Sequence, residues 1–334
     1  PVWVNYGSMR YLFTSLFNGA GGPDVTRKQK LFTAGGVLAA LLVVLAIAVQ
    51  HSGCVSAPPP PETEAVPTEQ RLELPFRSGE RAAYRASMGS WHMADMEWSV
   101  ESIEQDGRRL LKVVYKAGSA PAAERFSSFE ITQTTLMDPR TLRPLVTTDV
   151  SVDPEETKTI TMTFDHENQT AHYHRVEVKN GEEDVREKEL PFENGWDVLS
   201  GLMFVRTRYQ ELMDGEVLGL TMLDGRDYLE MVVTYEGAEE IEVDGERRAT
   251  EKFLFKVREH DDTPGEPPGP WRATTMWVSP ENWLPVRFDA SVVVGMGSSA
   301  RIVEYDPGTE PIAVDPKDLP PVTRGADLPG ELQP

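Results

Sequence analysis

Hydrophobic and polar residues alternate with a period of two along the middle of the chain. Trp98, Val100 and Ile103 are interleaved with Glu97, Ser99 and Glu101, which marks a strand with one buried face. Asp106-Gly107 interrupts the pattern, after which Leu111, Val113 and Tyr115 alternate with Lys112 and Lys116. The pair predicts a hairpin whose turn glycine permits. Thr159, Thr161 and Thr163 set against Ile160, Met162 and Phe164 give the cleanest alternation. Asn180-Gly181, Asp214-Gly215, Asp224-Gly225 and Asp244-Gly245 are further turn signals, flanked by β-branched or aromatic runs at 228–235 and 249–257. These predict successive antiparallel strands.

One segment departs from the rhythm. Across 195–209, Val198, Leu199, Leu202, Met203, Val205 and Tyr209 recur at spacings of three and four, which predicts a helix with one apolar stripe. Asp197 is placed to cap its start. A single helix among strands is expected to plug or cover the open side of a curved sheet. The expected fold is therefore mostly β: an antiparallel curved sheet forming a barrel or half-barrel with one short helix. Leu284-Pro285-Val286 fits a strand entry, where a missing N–H costs no ladder bond.

Upstream, residues 31–49 are 19 uncharged residues that follow Arg27, Lys28 and Lys30. The run reads either as a membrane-spanning helix or as the core of a secretory signal. In both readings the basic flank stays in the cytoplasm and the bulk of the chain is exported. Cys54 follows Ser52-Gly53 directly, in the manner of a bacterial lipoprotein signal whose Cys is lipidated; Gln50 and His51 depart from the aliphatic residue expected before it. A transmembrane anchor and lipidation at Cys54 both remain open. The chain divides into a leader at 1–30, a signal or transmembrane segment at 31–53, a Pro/Glu-rich linker at 54–75, a β domain at 76–306 and a Pro-rich tail at 307–334. The expected location is the bacterial cell envelope, with the domain facing the periplasm.

Composition narrows the function. With 33 basic and 54 acidic residues the net charge is −21, which repels a phosphate backbone, so nucleic acid is not expected as a partner. A single Cys excludes an internal disulfide framework and any Cys-rich zinc site.

Phe76-Arg-Ser-Gly79-Glu80 leading into a Tyr84 strand, the 197–206 helix, and Trp277-Val-Ser-Pro-Glu-Asn-Trp283-Leu284-Pro285-Val286 occur in that order. Together they resemble the bacterial envelope family DUF3108, a domain of unknown function, over roughly the span from Phe76 to Tyr305. The resemblance implies an exported protein, often a lipoprotein, and carries no activity with it. The Trp-Val-Ser strand and the Leu-Pro-Val entry are similar, at the level of fold only, to periplasmic lipoprotein carriers, half-barrels that hold acyl chains between a curved sheet and a helical lid.

The sequence holds no HExxH, P-loop or GxSxG motif. The run from Gly295 to Ala300 matches the letters of a dinucleotide loop but opens no helix, and reads as a turn or bulge. His172 and His174 share one face of a strand, with His166 across a turn, and read as exposed histidines in place of a metal site. Asp95 with Glu97 and Glu239 with Glu240 read as chance pairs in an acidic chain. No catalytic residue, cofactor or metal is therefore expected. The aromatic and Met content is more suggestive: Trp91, Met93, Met96, Trp98, Trp196, Met203 and Phe204 either fill an ordinary core or line an apolar pocket adaptable to acyl chains. The reading is a non-enzymatic, membrane-tethered protein that binds a hydrophobic or lipidic ligand in a curved sheet. The alternative is a scaffolding lipoprotein that binds another envelope protein.

Overall fold

A computed structural model describes residues 72–320, apart from 126, 127, 194, 244, 261–267, 281, 282, 294 and 295. The leader, the 31–49 apolar run, Cys54, most of the linker and the end of the tail lie outside the described residues. No described helix is long and apolar enough to cross a membrane.

Among the described residues fifteen strands form one sheet. Its N-terminal wing is β1 (Leu72–Met88), β2 (Trp91–Gln105), β3 (Arg108–Ser119), β4 (Glu130–Met137), β5 (Pro144–Val152), β6 (Glu156–Asp165), β7 (Thr170–Lys179) and β8 (Glu182–Pro191). The chain then enters β9 (Trp196–Asp197), helix α1 (Val198–Arg206) and helix α2 (Tyr209–Met213). It returns through β10 (Leu218–Asp224), β11 (Asp227–Val243), β12 (Glu246–His260), β13 (Arg272–Val278), β14 (Pro285–Val293) and β15 (Met296–Val314). The spatial order runs from β8 down to β1, then from β15 down to β9. First and last long strands thus pair at the centre, and two wings curve away from them.

The alternation read from the sequence is the alternation of burial. Met96, Trp98 and Val100 of β2 are buried with Leu111, Val113 and Tyr115 of β3, and across the ladder Trp98 pairs with Tyr115 and Val100 with Val113. Asp106 and Gly107 form the predicted turn, both at positive φ (53° and 72°), as a two-residue hairpin with right-handed strand twist requires. Asp214-Gly215 differs from expectation: it ends α2, with the Gly215 amide donating to the Leu212 carbonyl and φ at 97°. Glycine serves helix ends and hairpins alike because both need φ above zero.

Two short helices stand where one was expected, because Thr207 closes α1 with its amide and hydroxyl on the Phe204 carbonyl. All nine residues of α1 are buried, where a one-sided stripe was predicted. The helix lies within the curve of the sheet and is packed on every side. Among the described residues the sheet does not close into a barrel: β8 is one edge and β9 the other. The β9 strand has only two residues and pairs in parallel with β10, and the chain then turns inward into α1, so no ladder is left to meet β8. Side chains join the wings instead. The Tyr228 hydroxyl donates to the Pro191 carbonyl at 2.7 Å and Arg143 donates to the Gly195 carbonyl at 2.7 Å. The strands also reach past residues 76 and 306, since β1 begins at Leu72 and β15 runs to Val314.

The core is tied to α1 by a buried ion pair. Arg206 donates to both carboxylate oxygens of Glu80, at 2.9 and 3.3 Å, and both side chains have no exposed surface. Arg206 also donates to the Pro75 carbonyl at 3.2 Å, and its guanidinium lies 4.8 Å from the ring centres of Phe76 and Trp98. Glu80 is delivered inward at a break in the β1–β15 ladder. There Gly79 and Gly308 meet at φ values of 90° and 69°, and a Cβ on Gly308 would stand 2.6 Å from the Glu80 amide nitrogen.

Removing one partner of this pair strands a buried charge, so Glu80→Ala is expected to destabilise the fold by about 3–5 kcal/mol in urea unfolding, whereas the double replacement Glu80→Leu with Arg206→Met recovers most of that loss. Gly308→Ala, which has neither a suitable φ nor space, should lower the urea midpoint by an amount corresponding to roughly 2 kcal/mol or more.

Candidate functional site

The seven aromatic and Met residues separate in the structure. Met96, Trp98, Trp196, Met203 and Phe204 belong to the one large apolar core. Trp196 stacks on Phe204 with ring centres 4.4 Å apart, and Met203 Sδ lies 3.8 Å from Arg206. Trp91 is 60% exposed at the β1–β2 hairpin and Met93 is half-buried; neither joins the other five. His172 and His174 lie on the outer face of β7, with His174 3.7 Å from Glu187, and His166 contacts the Pro144 carbonyl at 2.6 Å. Among the described residues no three His, Cys, Asp or Glu side chains converge as a metal site would need.

A different set of residues converges on the inner face of β4 to β7. The strands pair in register so that Thr135, Thr147, Met162 and Tyr173 form one cross-strand rung and Gln133, Asp149, Ile160 and Arg175 the next. A third rung brings Ile131, Ser151, Lys158 and Glu177 together. Along β6 the inward positions therefore run from Glu156 and Lys158 through Ile160 to Met162 and Phe164. Along β7 they run from Lys179, Glu177 and Arg175 to Tyr173 and Ala171. One end of this face is apolar: Met162, Phe164, Ala171, Tyr173, Leu190, Phe192 and Leu223 form a second buried cluster. The other end is charged. Arg175 pairs with Glu177 and, at 3.0 Å, with Asp184, while Lys179 pairs with Glu156 at 3.0 Å.

The β10–β11 turn stands over this face. A Cβ on Gly225 would meet Ile160 Cδ1 at 3.6 Å and Tyr173 Cε2 at 3.8 Å, which places Asp224 beside the middle rung. Behind it lies Asp197, whose carboxylate accepts from the hydroxyls of Thr135 at 2.5 Å and Thr147 at 3.0 Å and from the Ser200 amide at 3.0 Å. Asp197 caps α1 as the sequence predicted, and the Ser200 hydroxyl returns the bond to the Asp197 amide. One carboxylate thus fixes the helix start to β4 and β5.

Burial governs the electrostatics of this region. Loss of water pushes the Asp149 carboxyl up to about 6, against a smaller opposing pull from Lys158. Asp224 is pushed up to about 7, first by burial and then by the carboxylates of Asp149, Asp227 and Asp197, with Lys158 acting the other way. Burial also raises Asp197 despite its hydrogen bonds, and lowers the Lys158 ammonium despite the nearby Asp149. Three polar atoms on the middle rung lack hydrogen-bond partners: Gln133 Oε1, Asp149 Oδ1 and Arg175 Nε. Gln133 is only 3% exposed. The sequence pattern marks Asp197 only as a helix cap and Asp224 only as a turn residue, and singles out none of Gln133, Asp149, Lys158 and Arg175.

Residues 83–301 match the model of a family described as protein of unknown function, DUF3108. The chain belongs to DUF3108. The match takes in both wings and the whole inner face just described. None of the curated proteins matches the chain. Among solved structures, this DUF3108 chain is similar to a β-barrel-like protein of the domain of unknown function DUF1849 from Brucella abortus, at 11% identity and a TM-score of 0.38, covering 69% of this chain and 98% of that one. It is also similar to the hypothetical lipoprotein YmcC of Escherichia coli K12, at 9% identity and a TM-score of 0.25, covering 70% and 90%.

Because the folded state favours the protonated forms of Asp149 and Asp224, their contribution to stability is present below about pH 4 and is lost as pH rises through 6 to 7. Asp224→Asn removes this loss. Calorimetry should find the variant melting a few degrees above the parent at pH 8, on the order of 1 kcal/mol after allowance for water reaching a half-buried group, with the difference shrinking toward pH 4.5.

Proposed function

We propose that this DUF3108 protein is a non-enzymatic envelope protein, tethered to a bacterial membrane through Cys54 or the 31–49 segment, that holds a hydrophobic or lipidic ligand in the concave face of its sheet in the periplasm. The observation that carries the reading is the inner face of β4 to β7, half-buried and changing from apolar to charged along the same strands. Ordinary strand cores stay apolar along their inward positions, since burying polar groups without partners is costly. An amphiphile reverses that cost. Its chain would lie against the half-buried Ile160 at the rim of the Met162–Tyr173 cluster, and its head would face Asp149, Lys158 and Arg175. The apolar 31–49 run and Cys54 in the sequence support this location, and the filled interior beneath α1 favours a ligand away from the Trp98 and Phe204 region.

A scaffolding role is favoured by a separate feature. On the outer face Val152, Thr157 and Val178 lie in one row and Val176 pairs with Val185, with Val185 49% exposed next to the free edge of β8. Such a row beside an unpaired edge suits strand addition by a partner protein.

Native mass spectrometry of the full chain purified from the bacterial envelope, run with a solvent extract, separates the two. One stoichiometric lipid-sized adduct, weakened in Ile160→Glu, is the expected result. A clean apo mass that persists after incubation with envelope lipids overturns the ligand reading and leaves the scaffold.

A further inference from the structure

We propose that the rung of Gln133, Asp149 and Arg175, with Asp224 above it, receives a neutral hydroxyl-rich group, glycosyl or polyol, as the polar part of the bound ligand. The inference rests on the ligand reading above and names the head that the charged end of the face selects.

Three polar atoms of the rung are unpaired. Gln133 Oε1 and Asp149 Oδ1 are acceptors without donors, and Arg175 Nε is a donor without an acceptor. Gln133 and Asp149 are direct cross-strand partners, and Ile160 and Arg175 continue the rung. All four positions lie on the inner face, and the β10–β11 turn packs over Ile160 of this rung. Each unpaired buried group costs about 1–3 kcal/mol, so a partner able to satisfy them recovers that cost on binding.

Chemistry excludes most heads. A phosphate or carboxylate offers acceptors only; it would satisfy Arg175 but meet Gln133 and Asp149 with no proton to give, near the acidic groups Asp224, Asp197 and Glu177. An ammonium offers donors only and leaves Arg175 Nε unpaired, with Lys158 on the adjacent rung. A hydroxyl both donates and accepts, and a set of them on one ring serves all three atoms at once. Ile160, half-buried on the same rung, supplies apolar surface for a ring or the start of a chain.

The probes are dodecyl glucoside, dodecylphosphocholine and dodecanoic acid, which share a chain and differ in head, together with methyl glucoside, which has no chain. Each is added to the full chain in a detergent micelle, and retention is counted by native mass spectrometry. Dodecyl glucoside should be retained about tenfold more strongly than the other two amphiphiles. Gln133→Leu, which removes the unpaired acceptor and keeps the volume, should abolish that preference while the chains still bind. Asp149→Asn, which lightens the buried charge and keeps the shape, is the second variant if Gln133→Leu does not fold, and it should reduce the preference several-fold. Retention of methyl glucoside as strong as that of dodecyl glucoside supports the head assignment and identifies a free sugar as its source. Equal retention of all three amphiphiles overturns the head assignment and leaves the ligand reading standing. Retention of none overturns both and assigns the three polar atoms to trapped water.

Discussion

The open sheet is held in its curve by what fills it, and the end of the filler nearest the central strands is anchored by the Glu80–Arg206 pair. Arg206 ends α1, Glu80 sits in the central strand β1, and neither has exposed surface. A buried ion pair of this kind contributes little net stability, because stripping water from both charges offsets most of their attraction. Its value lies in specificity. The two terminal nitrogens of the guanidinium are held between two carboxylate oxygens and the Pro75 carbonyl, with the faces of Phe76 and Trp98 beside them. The end of α1 is therefore fixed relative to the centre of the sheet. The break at Gly79 and Gly308 belongs to the same device, since it is where the β1–β15 ladder gives way before Glu80.

The other end of α1 is fixed by Asp197, which serves the helix as its cap and the sheet as an acceptor for Thr135 and Thr147. Between them the two anchors span β1, β4 and β5. This explains why the helix divides the interior as it does. The region under α1 and the central strands is packed with aromatic and Met side chains. The far wing, β6 to β8, lies past these anchors and meets the β10–β11 hairpin instead. A separate small cluster forms there, and the rest of that inner face is left to polar residues.

Much of this was legible in the sequence. Strict alternation located the faces of β2, β3 and β6, and Asp106-Gly107 located a turn, because strand periodicity and turn chemistry are local properties. The start of α1 was legible for the same reason, through Asp197. Asp214-Gly215 was misread because a residue pair with positive φ ends a helix as readily as it turns a hairpin. Closure was not legible: whether β8 meets the opposite edge depends on the length of β9 and the direction of the chain after it, neither of which leaves a periodic trace. The Trp and Met residues drew attention by size, yet a strongly curved sheet needs bulk at its centre, and five of the seven are found there. The polar rungs had a signal that bulk does not give. In two consecutive strands, the inward series Glu156, Lys158, Ile160, Met162, Phe164 and its partner Ala171, Tyr173, Arg175, Glu177, Lys179 change character at the same level. A single strand with that pattern is unremarkable; two in register mark a surface.

That surface sets two demands against each other. Stability favours an apolar inner face, and β6 and β7 supply one only as far as Met162 and Tyr173. Beyond that level the fold keeps carboxyls whose charge is resisted by burial, a lysine whose charge is resisted by the same cause, and three polar atoms without partners. Replacing Asp149 or Gln133 by an apolar residue of similar volume would cost the fold nothing in hydrogen bonds, since the unpaired atoms make none. The arrangement becomes economical only when something occupies the face. An occupant that pairs with those atoms converts a standing penalty into binding free energy and selectivity, as sites built on hydrogen bonds discriminate far more sharply than apolar slots.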